Sequence, residues 1–378
     1  MLKQQKIFFD FLRFCIGSAK EIPGSLKEVD WKELYAIAKK QALLGVLFYG
    51  IQRLPKELAP EQKLLMQWMA MAEMIRKQNI RLFLDSVKVC QNFENEGFAN
   101  CILKGQGNAL LYPDPYMRTP GDIDIYLAGG RKRVMQYINK VCPNQVMRYH
   151  HVDFPVMKTA IEVHFTPSYM FFPIHNRRMQ KWFRKVMDEQ CNHRVSLPDG
   201  YGEIHVPQVS FNVIYILSHL YRHIFTEGVG LRQLLDYYYV LISDDLLLIR
   251  DSVQKDLKHL SLWKFAQAVM FGMKEVFGLS EDRMIAPMDE REGRFLLDEI
   301  MRGGNFGQYD DRMCSKVGES KMHRYFRMNF RNLRFVKHYP TEALSEPLFR
   351  TWFAGWKKIH GLKYSMSIAR LEMLAAFL

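Results

Sequence analysis

The sequence lacks the features that mark secreted, repetitive or membrane-spanning proteins. Its six cysteines are far apart and form no CxxC pair, so it indicates neither a disulfide framework nor a cysteine-based metal site. No run of about 18 uncharged apolar residues occurs, so we expect no membrane span. The apolar N-terminal run is interrupted by Asp10 and Arg13 and lacks a small-residue cleavage site. We therefore expect a soluble protein of the cytoplasm.

What the chain does contain is the composition of a folded protein with a basic balance. It has 378 residues, of which 48% are hydrophobic and 25% are charged, which is enough for a substantial core and for two or three domains. The net charge of +13 favours acidic partners such as nucleotides, nucleic acid or membrane headgroups. Charge alone does not choose among them.

The periodicity of apolar residues changes twice along the chain. Helical spacing dominates residues 1–98, where Asp30 and Glu33 resemble a capping box and a long helix is predicted from about Glu61 to Glu96. Short alternating runs then indicate strands and short helices over 99–206, and helical spacing returns over 207–378. We predict an α+β, mostly helical fold, in which a small mixed sheet (99–206) is flanked by an N-terminal helical region (1–98) and a C-terminal helical domain (207–378).

Three acidic residues on two predicted strands form the most informative pattern. Asp122 and Asp124 are two residues apart, so both side chains project from one face of their strand. Two carboxylates so placed repel one another unless a cation lies between them, and Mg²⁺ prefers such oxygen ligands. Glu162 and His164 share one face of a later strand, and if the two strands are neighbours, three carboxylates converge. An acidic pair that merely faces solvent is the alternative, and Gly121 and the Lys104-Gly105 turn weigh against it.

These residues carry a family resemblance. Leu103-Lys-Gly, Arg118-Thr-Pro-Gly-Asp-Ile-Asp and Ile161-Glu-Val-His resemble the nucleotidyltransferase superfamily that includes DNA polymerase β. The match is closer to an uncharacterised bacterial branch of that superfamily, to which the segments 219–223 and 230–236 are also similar.

The resemblance implies transfer of a nucleoside monophosphate from an NTP to an acceptor, with two Mg²⁺ ions and release of pyrophosphate. It implies that Asp122 and Asp124 bind both ions and that Glu162 binds the catalytic one. It also implies that the turn after Lys104 binds the triphosphate. The nucleotide-binding residues predicted from it are Lys104, Gly105, Gln106, Arg118 and Gly121.

The chain departs from the superfamily pattern, since Gly105-Gln106 stands where Gly-Ser is usual and the gap from Gly105 to Asp122 is longer. We take Lys104 and Arg118 as the charges that replace the missing hydroxyl. The competing hypothesis is a catalytically silent domain of the same fold that binds a nucleotide or a partner. The acceptor is open among RNA or another polyanion, a protein side chain, a sugar and a small molecule.

Two further patterns lie in the C-terminal region. His219 and His223 share one helix face, which favours packing or substrate-facing roles over a metal site, although a metal phosphohydrolase is a third hypothesis. From Lys316 onward there are twelve Lys/Arg against four Asp/Glu. Five basic residues of this region form one helical stripe, which we expect to face solvent and which could guide a polyanionic acceptor. They are Arg324, Arg327, Arg331, Arg334 and His338.

Overall fold

The N-terminal region is helical, as predicted. The computed structural model describes residues 3–312 and 318–375. Asp30 caps a helix by accepting hydrogen bonds from the N–H groups of Lys32 and Glu33 at 2.9 and 3.1 Å. The second half of the expected capping box is wrong, because the N–H of Asp30 donates to Gln4 instead of Glu33. The helices are α1 (Lys3–Ile16), α2 (Trp31–Lys40), α3 (Leu44–Ile51) and α4 (Gln62–Asn95), so the long helix predicted from about Glu61 to Glu96 is confirmed.

The middle of the chain forms a small mixed sheet with helices around it. Its elements are β1 (Asn100–Ile102), α5 (Gln106–Ala109), β2 (Ile123–Leu127), α6 (Gly130–Val141), β3 (His151–Asp153), β4 (Ile161–His164), α7 (Pro173–Gln190), β5 (Arg194–Ser196) and β6 (Glu203–His205). The alternating run from Met147 to Phe154 forms a strand only over its last part, as β3, and α7 is a long helix within the region 99–206. The strands β5 and β6 pair with each other in a separate two-stranded sheet.

The order of strands in the main sheet positions the acidic residues. The order is β1-β2-β4-β3, with β2 and β4 parallel and the other pairs antiparallel. In the register of β2 with β4, Asp124 lies opposite Glu162. Ile123 and Ile125 alternate with the acids and are buried, as period-two alternation requires. The expected neighbour relation of the two acidic strands is confirmed.

The C-terminal region is helical and packs against the N-terminal helices through one continuous apolar core. Helix α1 packs against both α3 and the later helix Trp263–Phe277. The C-terminal helices are α8 (Val209–Thr226), α9 (Leu231–Leu241), α10 (Asp245–His259), α11 (Trp263–Phe277), α12 (Glu290–Gly303), α13 (Lys321–Val336) and α14 (Pro340–Ala375). The predicted α+β, mostly helical fold with a small mixed sheet is confirmed.

The basic stripe on α13 has the opposite orientation from the one expected. Arg331 is only 6% exposed and donates to the backbone oxygen of Ile224 at 2.5 Å. Arg334 pairs with Glu299, and His338 lies 2.8 Å from a carboxylate oxygen of Glu292. Acidic residues on α12 therefore draw the basic face inward, whereas several apolar side chains of α13 are exposed. They are Met322, Phe326, Phe330 and Leu333.

Because the basic face of α13 is directed toward the protein, it does not form the solvent-facing stripe that was expected to guide a polyanionic acceptor. Arg327 pairs with Glu319 at 2.7 Å, so its charge is also neutralised by a neighbouring carboxylate. Arg324 is the member of the stripe that is exposed. Within the stripe, the charges of Arg327, Arg334 and His338 therefore meet carboxylates of the protein itself.

None of the helices within residues 3–312 and 318–375 combines the length and the apolar character needed to cross a bilayer. The described cysteines, Cys15, Cys90, Cys101, Cys142 and Cys191, are free thiols, and Cys314 lies outside the described residues.

Candidate active site

The three predicted carboxylates lie along one end of the β2–β4 pair. Asp124 and Glu162 are cross-strand partners, and Asp122 directly precedes β2. Their exposure differs, because the side chain of Asp124 is 2% exposed whereas that of Glu162 is 28% exposed. The structure therefore brings the acids of two separate sequence motifs to one place, with Asp124 innermost.

Two cationic or hydrogen-bonding groups contact Asp124. Lys104 Nζ and His164 Nε2 each lie 3.0 Å from its Oδ1 atom. Burial alone would raise the pKa of Asp124, but Lys104 and His164 hold this pKa below its ordinary value. Burial would likewise lower the pKa of His164, and its hydrogen bonds to Asp124 and Glu162 raise it instead. Asp124 is thus an anion at neutral pH. Lys104 can reach it because this residue lies just after the end of β1.

The charge of Lys104 compensates Asp122 only in part. The charge of Asp124 and burial together raise the pKa of Asp122 to about 6. Such a shift shows that this corner of the site has more negative charge than the protein itself neutralises. The oxygen-rich donor set therefore fits a divalent cation such as Mg²⁺.

The possible metal ligands group differently from the prediction. Ligand atoms of Asp124, Glu162 and His164 lie within 4.8 Å of one another. Among the described residues, no group of three ligand atoms this close includes Asp122. His164, expected only beside the acids, is therefore part of the cluster itself.

Two adjoining cavities meet at Asp122 and Asp124 and form one cleft, and Glu162 lines the larger of them. Their volumes are about 40 Å³ and about 380 Å³. The residues common to both are Lys104, Gly121, Asp122, Asp124, His219 and Phe306. The volume of the larger cavity lies in the range of small-molecule binding sites, about 300–1,000 Å³.

The turn after Lys104 brings the backbone close to the acidic strand. Gly105 has φ +62°, a conformation that disfavours residues with a Cβ, and it lines the smaller cavity together with Gly121. Gln106 lies at the start of α5, but its side chain is 1% exposed and donates to Asn79 at 3.2 Å. The Gln106 side chain therefore contacts the core, whereas Gly105 lies at the cleft.

Arg118 lines the smaller cavity, but its guanidinium is engaged by the carboxylate of Asp236, which lies in the segment 230–236. Its Nε and Nη2 atoms donate to the two oxygens of Asp236 at 2.8 and 2.7 Å. Tyr112 donates to the same carboxylate at 2.7 Å. Burial would raise the pKa of Asp236, but Arg118 holds it below its ordinary value. Arg118 Nη1 has no partner among the described residues, which leaves one donor of the guanidinium unused.

The two histidines of α8 line the cleft, as one of the expected roles requires. His219 Nε2 lies 3.2 Å from Lys104 Nζ, and Arg222 Nη2 lies 3.3 and 2.9 Å from the ring nitrogens of His219 and His223. Burial lowers the pKa of His219 well below its ordinary value and that of His223 to about 4. In the described chain, neither histidine belongs to a close group of three metal ligands, so the phosphohydrolase hypothesis gains no support.

Several cleft residues were not predicted from the sequence. His150 directly precedes β3, and His151 is the first residue of that strand. Arg222 lies on α8 with His219 and His223. Arg232 and Phe306 come from the C-terminal region, with the guanidinium carbon 5.6 Å from the ring centroid. Two local signals were present in the sequence: the pair His150-His151 beside an alternating run, and the glycine-rich segment 303–307 that contains Phe306.

Comparison with known proteins now adds a family to this geometry. The sequence matches the family of uncharacterised nucleotidyltransferases over residues 27–278, and the chain belongs to that family. Among curated proteins, no sequence matches the chain. A similar solved structure is an antigenic nucleotidyltransferase-like protein from Paracoccidioides brasiliensis, 14% identical, covering 48% of this chain and 92% of that chain with a TM-score of 0.29. The family assignment rests on the sequence match, since that structural likeness is too distant to support it.

Proposed function

We propose that the protein transfers a nucleoside monophosphate from an NTP to an acceptor in a Mg²⁺-dependent reaction that releases pyrophosphate, as in the superfamily of DNA polymerase β. The observation that carries the proposal is the pairing of β2 with β4, which aligns Asp124 with Glu162 and places Asp122 at the same cleft. Membership in the nucleotidyltransferase family supports the same reaction class.

Asp122, Asp124 and Glu162 would hold the metal, and the raised pKa of Asp122 supports this assignment. Bound Mg²⁺ would neutralise charge on the transferring phosphoryl group and orient it. Glu162 is the most exposed of the three and so is the best placed to accept a proton from the incoming acceptor.

The cations of the cleft would bind the triphosphate. Lys104 is the nearest, since its ammonium is partly exposed and already lies beside Asp124 and His219. Arg118 acts as a fixed charge, because Asp236 orients it and leaves Nη1 unpaired. Arg222 and Arg232 line the cavities from the helical domain. Asp124 and Asp236 already pair with Lys104 and Arg118, so these cations would act on the triphosphate together with bound Mg²⁺.

The test is transfer of label from [α-³²P]NTPs in the presence of Mg²⁺ and cell extract, with pyrophosphate release measured in parallel. Asp122→Asn, Asp124→Asn and Glu162→Gln should each abolish both signals. The exposed Glu203→Gln on β6 is the matched control and should leave both unchanged. Lys104→Ala should weaken NTP binding while the chain remains folded.

The second candidate, a catalytically silent nucleotide-binding domain, is favoured by the absence of the usual Gly-Ser after Lys104. Isothermal titration with a non-hydrolysable NTP, compared with the transfer assay, distinguishes the two candidates. Binding without transfer or pyrophosphate release in any nucleotide would support the silent domain and overturn the proposed reaction. Transfer that survives all three carboxylate substitutions would place the chemistry elsewhere.

A further inference from the structure

Three buried histidines converge beside Glu162, on the side of the cleft facing β3. His150, His151 and His164 are 4%, 5% and 1% exposed. Their imidazole rings lie with centroids 4.4 to 5.1 Å apart, and one nitrogen from each ring lies within 4.8 Å of the others. The nucleotidyl-transfer reaction proposed above uses neither His150 nor His151.

The distances between these groups match the edges of a metal coordination shell. His150 Nε2 lies 3.3 Å from His151 Nδ1, which lies 3.4 Å from Glu162 Oε2. The same Oε2 atom lies 3.6 Å from His164 Nε2. Ligands of a tetrahedral zinc ion, bound at about 2.0–2.1 Å, lie roughly 3.4 Å from one another. Three of the six edges that join these four atoms therefore have the length that such a shell requires, and the three imidazoles offer nitrogens within 4.8 Å of one another.

Hydrogen bonding within the described chain accounts for one nitrogen of each ring. The other nitrogens, His150 Nδ1, His151 Nε2 and His164 Nδ1, are buried without a partner there and lie opposite the proposed ligand atoms. A neutral imidazole carries its proton on one nitrogen and offers the other to a metal ion. Rings protonated at these three nitrogens would therefore each present the remaining nitrogen to an ion.

The cluster is also open on one side. All four residues line the larger cavity of the cleft, together with Lys104 and Arg222. Structural zinc sites are closed by four protein ligands in the core, whereas sites that act on substrates face a cavity. An ion here would be accessible to a ligand in the cleft, and the two cations would attract an anionic one.

We propose that His150, His151, His164 and Glu162 form a binding site for a zinc-type divalent transition-metal ion, separate from the Mg²⁺ expected at Asp122 and Asp124. Imidazole nitrogen is a preferred ligand of zinc, whereas magnesium takes oxygen ligands, so the histidines and the aspartates, which meet at His164 and Asp124, select different ions. Glu162 belongs to both sets. The proposal does not depend on nucleotidyl transfer, because metal binding by the histidines can be measured without any reaction.

The first test uses the full-length wild-type chain, stripped of metal and titrated with Co²⁺ or Zn²⁺ alone. We expect one Co²⁺ per chain, with visible ligand-field absorption of the intensity given by four or five ligands, and displacement by Zn²⁺ but not by millimolar Mg²⁺. X-ray absorption at the zinc edge should show multiple scattering from about three imidazoles. Absence of stoichiometric binding, or a spectrum without imidazole scattering, would overturn the proposal.

The second test uses His150→Gln and His151→Gln, each of which removes one ligand. Both should weaken Co²⁺ binding by roughly 100-fold. His205→Gln is the matched control, because His205 lies 3.3 Å from Glu94 but outside the cleft. Binding of wild-type strength in both cluster variants would contradict the assignment. The wild-type spectroscopy decides the question if either variant fails to fold.

Asp122→Asn separates this proposal from the proposed function. The substitution should abolish transfer of the nucleotide label yet leave Co²⁺ stoichiometry and absorption unchanged, since Asp122 is not among the four ligands. Retained transfer with no transition-metal binding would overturn the metal site alone. Retained metal binding with no transfer in the wild type would overturn the reaction alone.

Discussion

The ion pair between Arg118 and Asp236 allows the sharpest prediction about stability. Both side chains are almost fully buried, at 3% and 7% exposed, and two parallel hydrogen bonds of 2.8 and 2.7 Å join them. Removing one partner of a buried pair leaves the other charge uncompensated, which typically costs about 3–5 kcal/mol. We therefore expect Asp236→Asn to lower the free energy of unfolding by about 3–5 kcal/mol, measured by urea unfolding at neutral pH.

A double variant tests whether the loss of stability comes from the buried charge that is left without its partner. Arg118→Met combined with Asp236→Asn removes both charges and still leaves Tyr112 an acceptor, so it should recover at least about 2 kcal/mol relative to Asp236→Asn. The exposed pair of Arg194 and Glu203 provides the control, and Glu203→Gln should change stability by less than about 0.5 kcal/mol. A loss below about 1 kcal/mol in Asp236→Asn, or a double variant as unstable as the sum of the single ones, would refute the reasoning.

The pH dependence of the same variant has a definite sign. The folded protein holds the pKa of Asp236 below its value in the unfolded chain, which is about 3.9. The stabilisation is therefore complete above that unfolded pKa and is lost as the pH falls through the lower folded value. The difference between wild type and Asp236→Asn should accordingly be constant near neutrality and shrink only in acid. If this difference in stability vanished between pH 6 and 8, a group other than Asp236 would be its cause.

Three further substitutions, each compared with a control variant, give expected outcomes in the same urea assay. Asp30→Ala should destabilise by about 1 kcal/mol because it removes an N-cap acceptor, whereas Glu33→Ala should have little effect since the reach-back bond is absent. Arg331→Ala should cost about 2–4 kcal/mol, because the guanidinium is buried, whereas Arg324→Ala at an exposed position should stay within about 0.5 kcal/mol. Gly105→Ala should cost about 1–3 kcal/mol through its positive φ and should also weaken NTP binding.

Each of these expectations has a result that contradicts it. Equal losses in Asp30→Ala and Glu33→Ala would mean that the full capping box forms. Equal effects of the two arginine substitutions, or a loss of stability in Arg331→Ala that disappears at high salt, would indicate that the basic face is exposed to solvent. A Gly105→Ala protein as stable as Gly121→Ala, whose added Cβ meets no atom within 4 Å, would remove the argument from backbone conformation.

Local sequence was enough to determine the elements that depend on neighbouring residues. The period-two runs around Asp124 and Glu162 predicted both strands, because alternation of buried and polar side chains is a property of a single strand. The long helix α4 and the cap at Asp30 followed from spacing and from one side chain for the same reason. The adjacency of the two acidic strands was stated only as a condition, because the pairing of strands far apart in sequence is not a local property, and the pairing of β2 with β4 meets that condition.

Tertiary structure decided which face of an element turns inward and which distant groups meet. Periodicity defines the two faces of α13, but burial of the basic face depends on Glu292 and Glu299 of another helix, whose positions no local pattern reveals. The engagement of Arg118 by Asp236 likewise joins residues 118 positions apart. The convergence of His150 and His151 on Glu162 arises from the antiparallel pairing of β3 with β4. These contacts depend on the packing of the whole chain, which is why the carboxylates were predictable from sequence and their surroundings were not.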